Sequence, residues 1–98
     1  MPTYVRLVNW TEQGARGARE AVLRADQGRE LVERAGARII GWWWTQGRYD
    51  MVIVIEAPDD ETASALALSM NLAGNVRTET MRAYDRDEML RILNKLPA

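Results

Sequence analysis

The stretch QGRYDMVIVIEAPDDE, residues 46–61, combines a turn, a strand and the start of a helix. Gln46-Gly47 is typical of a tight turn between two strands. The apolar run that follows predicts a strand over Arg48–Ala57, which Pro58 ends. Asp59 then fits an N-cap, and the acidic turn after it suits the positive end of a helix dipole. This succession of a hairpin and a helix indicates an α+β fold.

The residues on either side complete the pattern. Periodicity predicts three further strands: Thr3–Trp10, Ala37–Thr45 and Asn75–Tyr84. It predicts three helices: from Ala18 to a left-handed cap at Gly36, from Asp59 to Gly74, and from an N-cap at Asp85, with Glu88 as its reciprocal partner, to the end of the chain. Thr11–Gly17 is predicted to be a turn because two glycines weaken a helix there. The order β-α-β-β-α-β with a C-terminal helix is the ferredoxin-like plan with an antiparallel sheet, and we expect one domain over residues 1–98.

The composition excludes several classes of function. The chain contains no Cys and no His, so we expect no disulfide, no metal site and no cofactor. Its 13 Lys and Arg balance 14 Asp and Glu, which predicts neither a nucleic-acid nor a membrane partner. The first residues do not form the apolar core of a signal peptide, and no apolar run is long enough to span a bilayer. A soluble cytoplasmic protein is therefore expected.

Three consecutive tryptophans predict self-association. Trp42 and Trp44 point to one side of the predicted strand and Trp43 to the other. Two helices cover only one face of a ferredoxin-like sheet, and each Trp buries about 150–250 Å², so no register hides all three under the helices. We therefore expect a homo-oligomer formed through the open sheet face, with the C-terminal helix as the competing cover.

Three segments together resemble the GYD domain family: residues 46–62 with their Gly-Arg-Tyr-Asp, residues 75–80, and residues 2–5 with 11–14. The resemblance extends over nearly the whole chain and implies a dimeric α+β-barrel type of fold, without implying a biochemical role. The region from Gly47 to Thr80 is also similar, more weakly, to the ligand-sensing module of Lrp/AsnC-type regulators. That similarity implies effector sensing between subunits without DNA binding, because the helix-turn-helix half is missing.

Five residues are predicted to border a pocket, if one exists: Arg6, Trp43, Tyr49, Asp50 and Arg77. Tyr49 and Asp50 belong to the Gly-Tyr-Asp motif for which the GYD family is named, and they lie at the end of a hairpin, where loops can border a cavity. The alternative is that Asp50 only stabilises the turn by hydrogen bonds to nearby amides. Arg6 and Arg77 are charges on strands that require a partner or an anion, and the alternative is a cross-strand ion pair with Glu79. Trp10, Trp42, Trp43 and Trp44 could line an apolar pocket, but an interface or the core is the favoured alternative.

Three hypotheses for function follow. The first is a small-molecule-binding or sensing oligomer, with its pocket between the sheet face and a partner subunit. The second is a cofactor-independent monooxygenase or isomerase of the dimeric α+β-barrel kind, in which Arg, Tyr, Trp and Asp side chains orient the substrate. The third is a purely structural oligomerisation domain.

Overall fold

The computed structural model describes residues 1–98 as a four-stranded antiparallel sheet with helices along the chain. The strands lie in the order β2-β3-β1-β4, which confirms the predicted ferredoxin-like α+β fold with a C-terminal helix. The elements in chain order are β1 (Thr3–Trp10), α1 (Glu12–Arg16), a 3₁₀ turn (Ala18–Glu20), α2 (Ala21–Arg34), β2 (Arg38–Trp44), β3 (Met51–Glu56), α3 (Asp60–Leu72), β4 (Val76–Ala83) and α4 (Arg86–Leu93).

The segment after β1 is helical, so the predicted turn over Thr11–Gly17 is wrong. Thr11 caps α1 by accepting a hydrogen bond from the amide of Gly14. Its own amide donates to the carbonyl of Asn75 at 3.0 Å, and its hydroxyl donates to the carbonyl of Gly74 at 2.6 Å. These contacts with residues more than 60 positions away order the segment, and helix propensity alone did not reveal them.

Helix caps form at the predicted positions. Asp59 accepts from the amide of Thr62 at 2.8 Å, and Asp85 and Glu88 form a reciprocal capping box. Gly36 and Gly74 adopt φ values of +79° and +81° directly after α2 and α3, where a left-handed residue closes a helix. The predicted caps are thereby confirmed, whereas α2 begins at Ala21 after a 3₁₀ turn and α4 ends at Leu93, before the predicted end of the last helix.

The register divides every strand between two faces. Tyr4, Arg6 and Val8 of β1 are buried, whereas Val5 and Leu7 between them are half-buried. We call the side of Tyr4, Arg6 and Val8 the helix face, because its buried apolar residues form one core with residues of α2 and α3. The opposite side, which no helix covers, is the open face; its apolar residues are Val5, Leu7, Trp43, Val52, Val54 and Met81.

Helix α4 does not provide the cover that the sequence analysis considered for the open face. It contains no buried residue, and Met89 and Leu93 on its apolar side are each 46% exposed.

The radius of gyration is 14.9 Å, against about 13 Å for a compact domain of this length. The molecule extends 53 Å along its longest axis, and none of its helices combines the length and apolar character needed to cross a membrane.

Gly14 permits the close approach of α1 to the turn before β4, and its substitution tests that contact. A Cβ at this position would overlap the carbonyl oxygen of Asn75, which is backbone and cannot rotate away. We expect Gly14→Ala to lower the free energy of unfolding by about 3 kcal/mol in urea denaturation. Gly17→Ala is the matched control: its Cβ would meet only the flexible end of Arg24 at 3.0 Å, so a loss below about 1 kcal/mol is expected. Equal losses in the two variants would contradict this explanation.

Tyr4 fastens β1 to the start of α3 by donating a hydrogen bond to the carboxylate of Asp60. Burial and this carboxylate raise the pKa of Tyr4 from 10.0 to about 12. Because the folded state favours the neutral phenol, the stabilisation is complete below pH 10 and is lost as the pH rises through 12. We expect Tyr4→Phe to cost about 1 kcal/mol at neutral pH, and this difference from wild type to narrow as the solution becomes strongly alkaline. Denaturation curves for both proteins across that range check it; a constant difference would contradict the linkage.

Candidate functional site

Arg6 is a charged residue in the middle of the core. It is 1% exposed, and its position in β1 between Tyr4 and Val8 directs it to the helix face. The row of directly opposed residues across the sheet is Trp42, Ile53, Arg6 and Thr80. The side chain therefore lies under α3, with its guanidinium among apolar neighbours.

The guanidinium of Arg6 has acceptors but no counter-ion. Its Nη2 donates to the carbonyl of Ala63 at 2.9 Å, its Nε donates to Oγ1 of Thr80 at 3.2 Å, and its Nη1 lies 3.7 Å from the sulfur of Met70. None of the five ion pairs in the structure includes Arg6. Burial accordingly lowers the pKa of Arg6 from its usual value. Part of its capacity of five N–H donors is unused.

A cavity of about 220 Å³ lies beside Arg6, between the sheet and helices α2 and α3. Most of its wall is apolar, with contributions from Trp10, Val32, Trp42, Ile53, Leu66 and Met70. Its charged residues are Arg6 and Arg24, and no Asp or Glu lines it. Exposed residues of both helices, among them Gln27 and Ser69, form its rim and leave it accessible from solvent.

Trp42 lines the same cavity and carries a donor without a partner. Its Nε1 is buried and has no hydrogen-bond partner. Arg29 lies over the ring at 5.9 Å from the centroid, and Gly28 of α2 approaches it closely enough that a Cβ there would lie 3.3 Å from the indole. The ring is thus held between α2 and the sheet. Buried N–H groups without an acceptor are rare in folded proteins, which makes this one a candidate for ligand contact.

The open face contains a second, shallower depression of about 170 Å³. Tyr49 and Arg77 line it, and the Tyr49 hydroxyl donates to Glu79 at 3.2 Å. Trp43 belongs to the same face, where its register partner is Val52 and its indole lies over Gly41. Trp43 is 53% exposed, the highest value of the four tryptophans.

Asp50 organises the end of the hairpin. Its side chain accepts a hydrogen bond from the amide of Trp10 at 2.9 Å, and its own amide donates to the carbonyl of Val8 at 2.9 Å. Its carbonyl accepts from the amide of Thr45, and Gly47 nearby has a φ of +106°. These bonds give Asp50 the role of fixing the turn against β1.

The structure divides the five predicted residues between the two faces of the sheet. Tyr49 and Arg77 meet on the open face, whereas Arg6 borders the cavity on the helix face. The cross-strand ion pair considered for Arg6 does not form, because Arg77 and Glu79 point to the opposite side of β4 from Thr80. Sequence reasoning selected Trp43 instead of Trp42 and did not predict Arg24 at the cavity. The alternation of Trp42 with Trp43 was the available signal, but it did not show which of the two the helices cover.

Comparison with known proteins places the chain in a family. The sequence profile described as GYD domain matches residues 4–93. A relative from Thermus thermophilus is 32% identical over 84 residues, which cover 85% of this chain and 88% of the relative. It is named "Glutamine synthetase and cystathionine beta-lyase binding protein". No solved structure matches the chain. With its Gly47-Arg48-Tyr49-Asp50 hairpin, the chain belongs to the GYD domain family.

Proposed function

We propose that this protein is a regulatory binding protein: an oligomer that assembles through its open sheet face and contacts enzymes through α4. The observation that carries the proposal is the combination of an uncovered apolar sheet face with a helix that has no buried residue. The relative named for binding two enzymes supports a role of this kind. The absence of Cys is in keeping with the cytoplasm, which is the compartment we propose.

The open face is suited to a second copy of the chain. Four strands spaced 4.8 Å apart and about eight residues long present roughly 500 Å², which approaches the ~800 Å² that each partner contributes to a standard interface. Trp43 and Met81 on this face are 53% and 43% exposed. A copy seated here would also close the depression lined by Tyr49 and Arg77. We retain this depression as a proposed pocket between subunits.

Helix α4 is suited to an apolar groove on another protein. Met89 and Leu93 lie one turn apart on α4 and are each 46% exposed, and Leu96, just beyond the end of the helix, is 65% exposed. A helix of eight residues is marginal in water by itself. The capping box and the 2.8 Å ion pair between Arg82 and Glu88 hold only its first turn. Docking of this apolar stripe into a groove is a common mode of protein recognition.

The cavity favours binding over turnover. Its polar groups are arginines, amides and a serine, and it contains no Asp, Glu, Tyr or Lys to act as a general base. It can therefore hold and orient a small molecule but offers no side chain of the usual kind to move a proton. This argues against a monooxygenase or isomerase reaction in this cavity. The small-molecule part of the proposal rests on the two depressions described above.

The oligomeric state is the first test. Light scattering at micromolar concentration is expected to give the mass of a dimer or a larger assembly. Val54→Glu places a charge in the centre of the open face and should weaken association at least about a hundredfold, giving a monomer. Leu72→Glu is the matched control, because Leu72 is 87% exposed at the end of α3, and it should leave the mass unchanged. A wild-type monomer would overturn the proposed assembly.

Enzyme binding is the second test. We expect the immobilised protein to bind purified glutamine synthetase or cystathionine β-lyase from the organism that encodes this chain, measured by biolayer interferometry. Leu93→Glu should abolish this binding while the mass of the oligomer stays as in wild type. Arg91→Glu, on the exposed side of the same helix, controls for charge alone and should retain most of the binding. If the wild-type oligomer binds neither enzyme, the proposed partners are wrong.

A further inference from the structure

We infer that the cavity on the helix face is a binding site for a small organic carboxylate with an apolar body, whose carboxylate pairs with Arg6 and also accepts from Nε1 of Trp42. This inference concerns the opposite side of the sheet from the proposed subunit contact, and it holds or fails independently of the enzyme partners.

The charge of the cavity selects an anion. Arg6 and Arg24 line it without any acidic residue, although the whole chain has a net charge of −1. A buried guanidinium without a counter-ion is costly, and an entering carboxylate supplies that counter-ion in a medium of low dielectric. Arg24 is half-buried and donates to the carbonyls of Gly17 and Gly14, at 2.6 and 3.3 Å. Arg6, at 1% exposed, is the arginine whose charge has neither solvent nor a counter-ion around it.

Trp42 provides a second donor that would orient the carboxylate. Its Nε1 is a buried donor without an acceptor, on a strand whose register places it in the same row as Arg6, with Ile53 between them. Nε1 of Trp42 lacks an acceptor, and Arg6 has five N–H groups, of which three donate to acceptors. In the proposed site these remaining donors define where the oxygens of the ligand lie.

The remaining wall defines the body of the ligand. It is mostly apolar, which favours a branched aliphatic or aromatic group. No carboxylate is present to pair with an ammonium group, so an organic acid suits the site better than an amino acid. The volume of about 220 Å³ corresponds to roughly seven water molecules at liquid density. That is room for a small acid but too little for a nucleotide.

Calorimetric titration with defined probes tests the inference. Benzoate and 4-methyl-2-oxopentanoate are the carboxylates, and benzamide is the neutral counterpart of benzoate. We expect at least one of the two acids to bind the wild-type chain with a Kd of about 0.1–1 mM and, if benzoate binds, benzamide to bind at least about tenfold more weakly. Failure of both acids to bind, or equal affinity for benzoate and benzamide, would overturn the proposal.

Variants locate the binding. Arg6→Met is expected to weaken binding of the carboxylate at least about thirtyfold, while its thermal midpoint stays at or above that of the wild type, because an unpaired buried charge has been removed. Trp42→Phe keeps a ring but lacks the N–H, and a threefold to tenfold loss is expected. Undiminished binding in a folded Arg6→Met protein would overturn the proposal. If Arg6→Met does not fold, Trp42→Phe decides, and wild-type affinity in that variant would overturn it.

Discussion

Strand β1 pairs with β3 on one side and β4 on the other, so the alternation of its side chains decides what each face of the sheet contains. Tyr4, Arg6 and Val8 point towards the helices. The residues paired with them on β3 and β4 point the same way, because directly opposed residues share a face. A shift of one residue in this register would exchange the contents of the two faces. The core, the cavity and the open face therefore all depend on the register of β1 with its two neighbours.

The most demanding consequence of that register is the burial of Arg6. A charged group removed from water without a counter-ion costs several kcal/mol, and a hydrocarbon side chain of similar volume is often at least as stable. The carbonyl of Ala63 and the hydroxyl of Thr80 offset part of this cost. They leave a positive charge beside an apolar cavity that contains no acid. Stability alone does not account for this arrangement, whereas the proposed binding of a carboxylate would.

The other consequence of that register is that the two faces of the sheet present different surfaces. Consecutive residues of β2 serve both: Trp42 lines the cavity under the helices, and Trp43 lies on the open face with Val52. Helix α4 buries none of its own residues. In the proposed function, the helix face holds a small molecule and the open face meets a second copy of the chain. The relative named for binding two enzymes supports that proposal.

Local patterns in the sequence were sufficient to predict most of the secondary structure. Alternation, caps and turn residues were sufficient for the four strands, the ends of α2 and α3, the capping box at Asp85 and the order of elements, because each depends on residues close together in the chain. It also showed that the three tryptophans could not all be covered. The placement of Arg6 and Arg77 on opposite faces and the helix over Glu12–Arg16 were settled only by tertiary contacts. Those outcomes depend on the register of β4 and on hydrogen bonds to Gly74 and Asn75, which join residues too far apart for any local pattern to record.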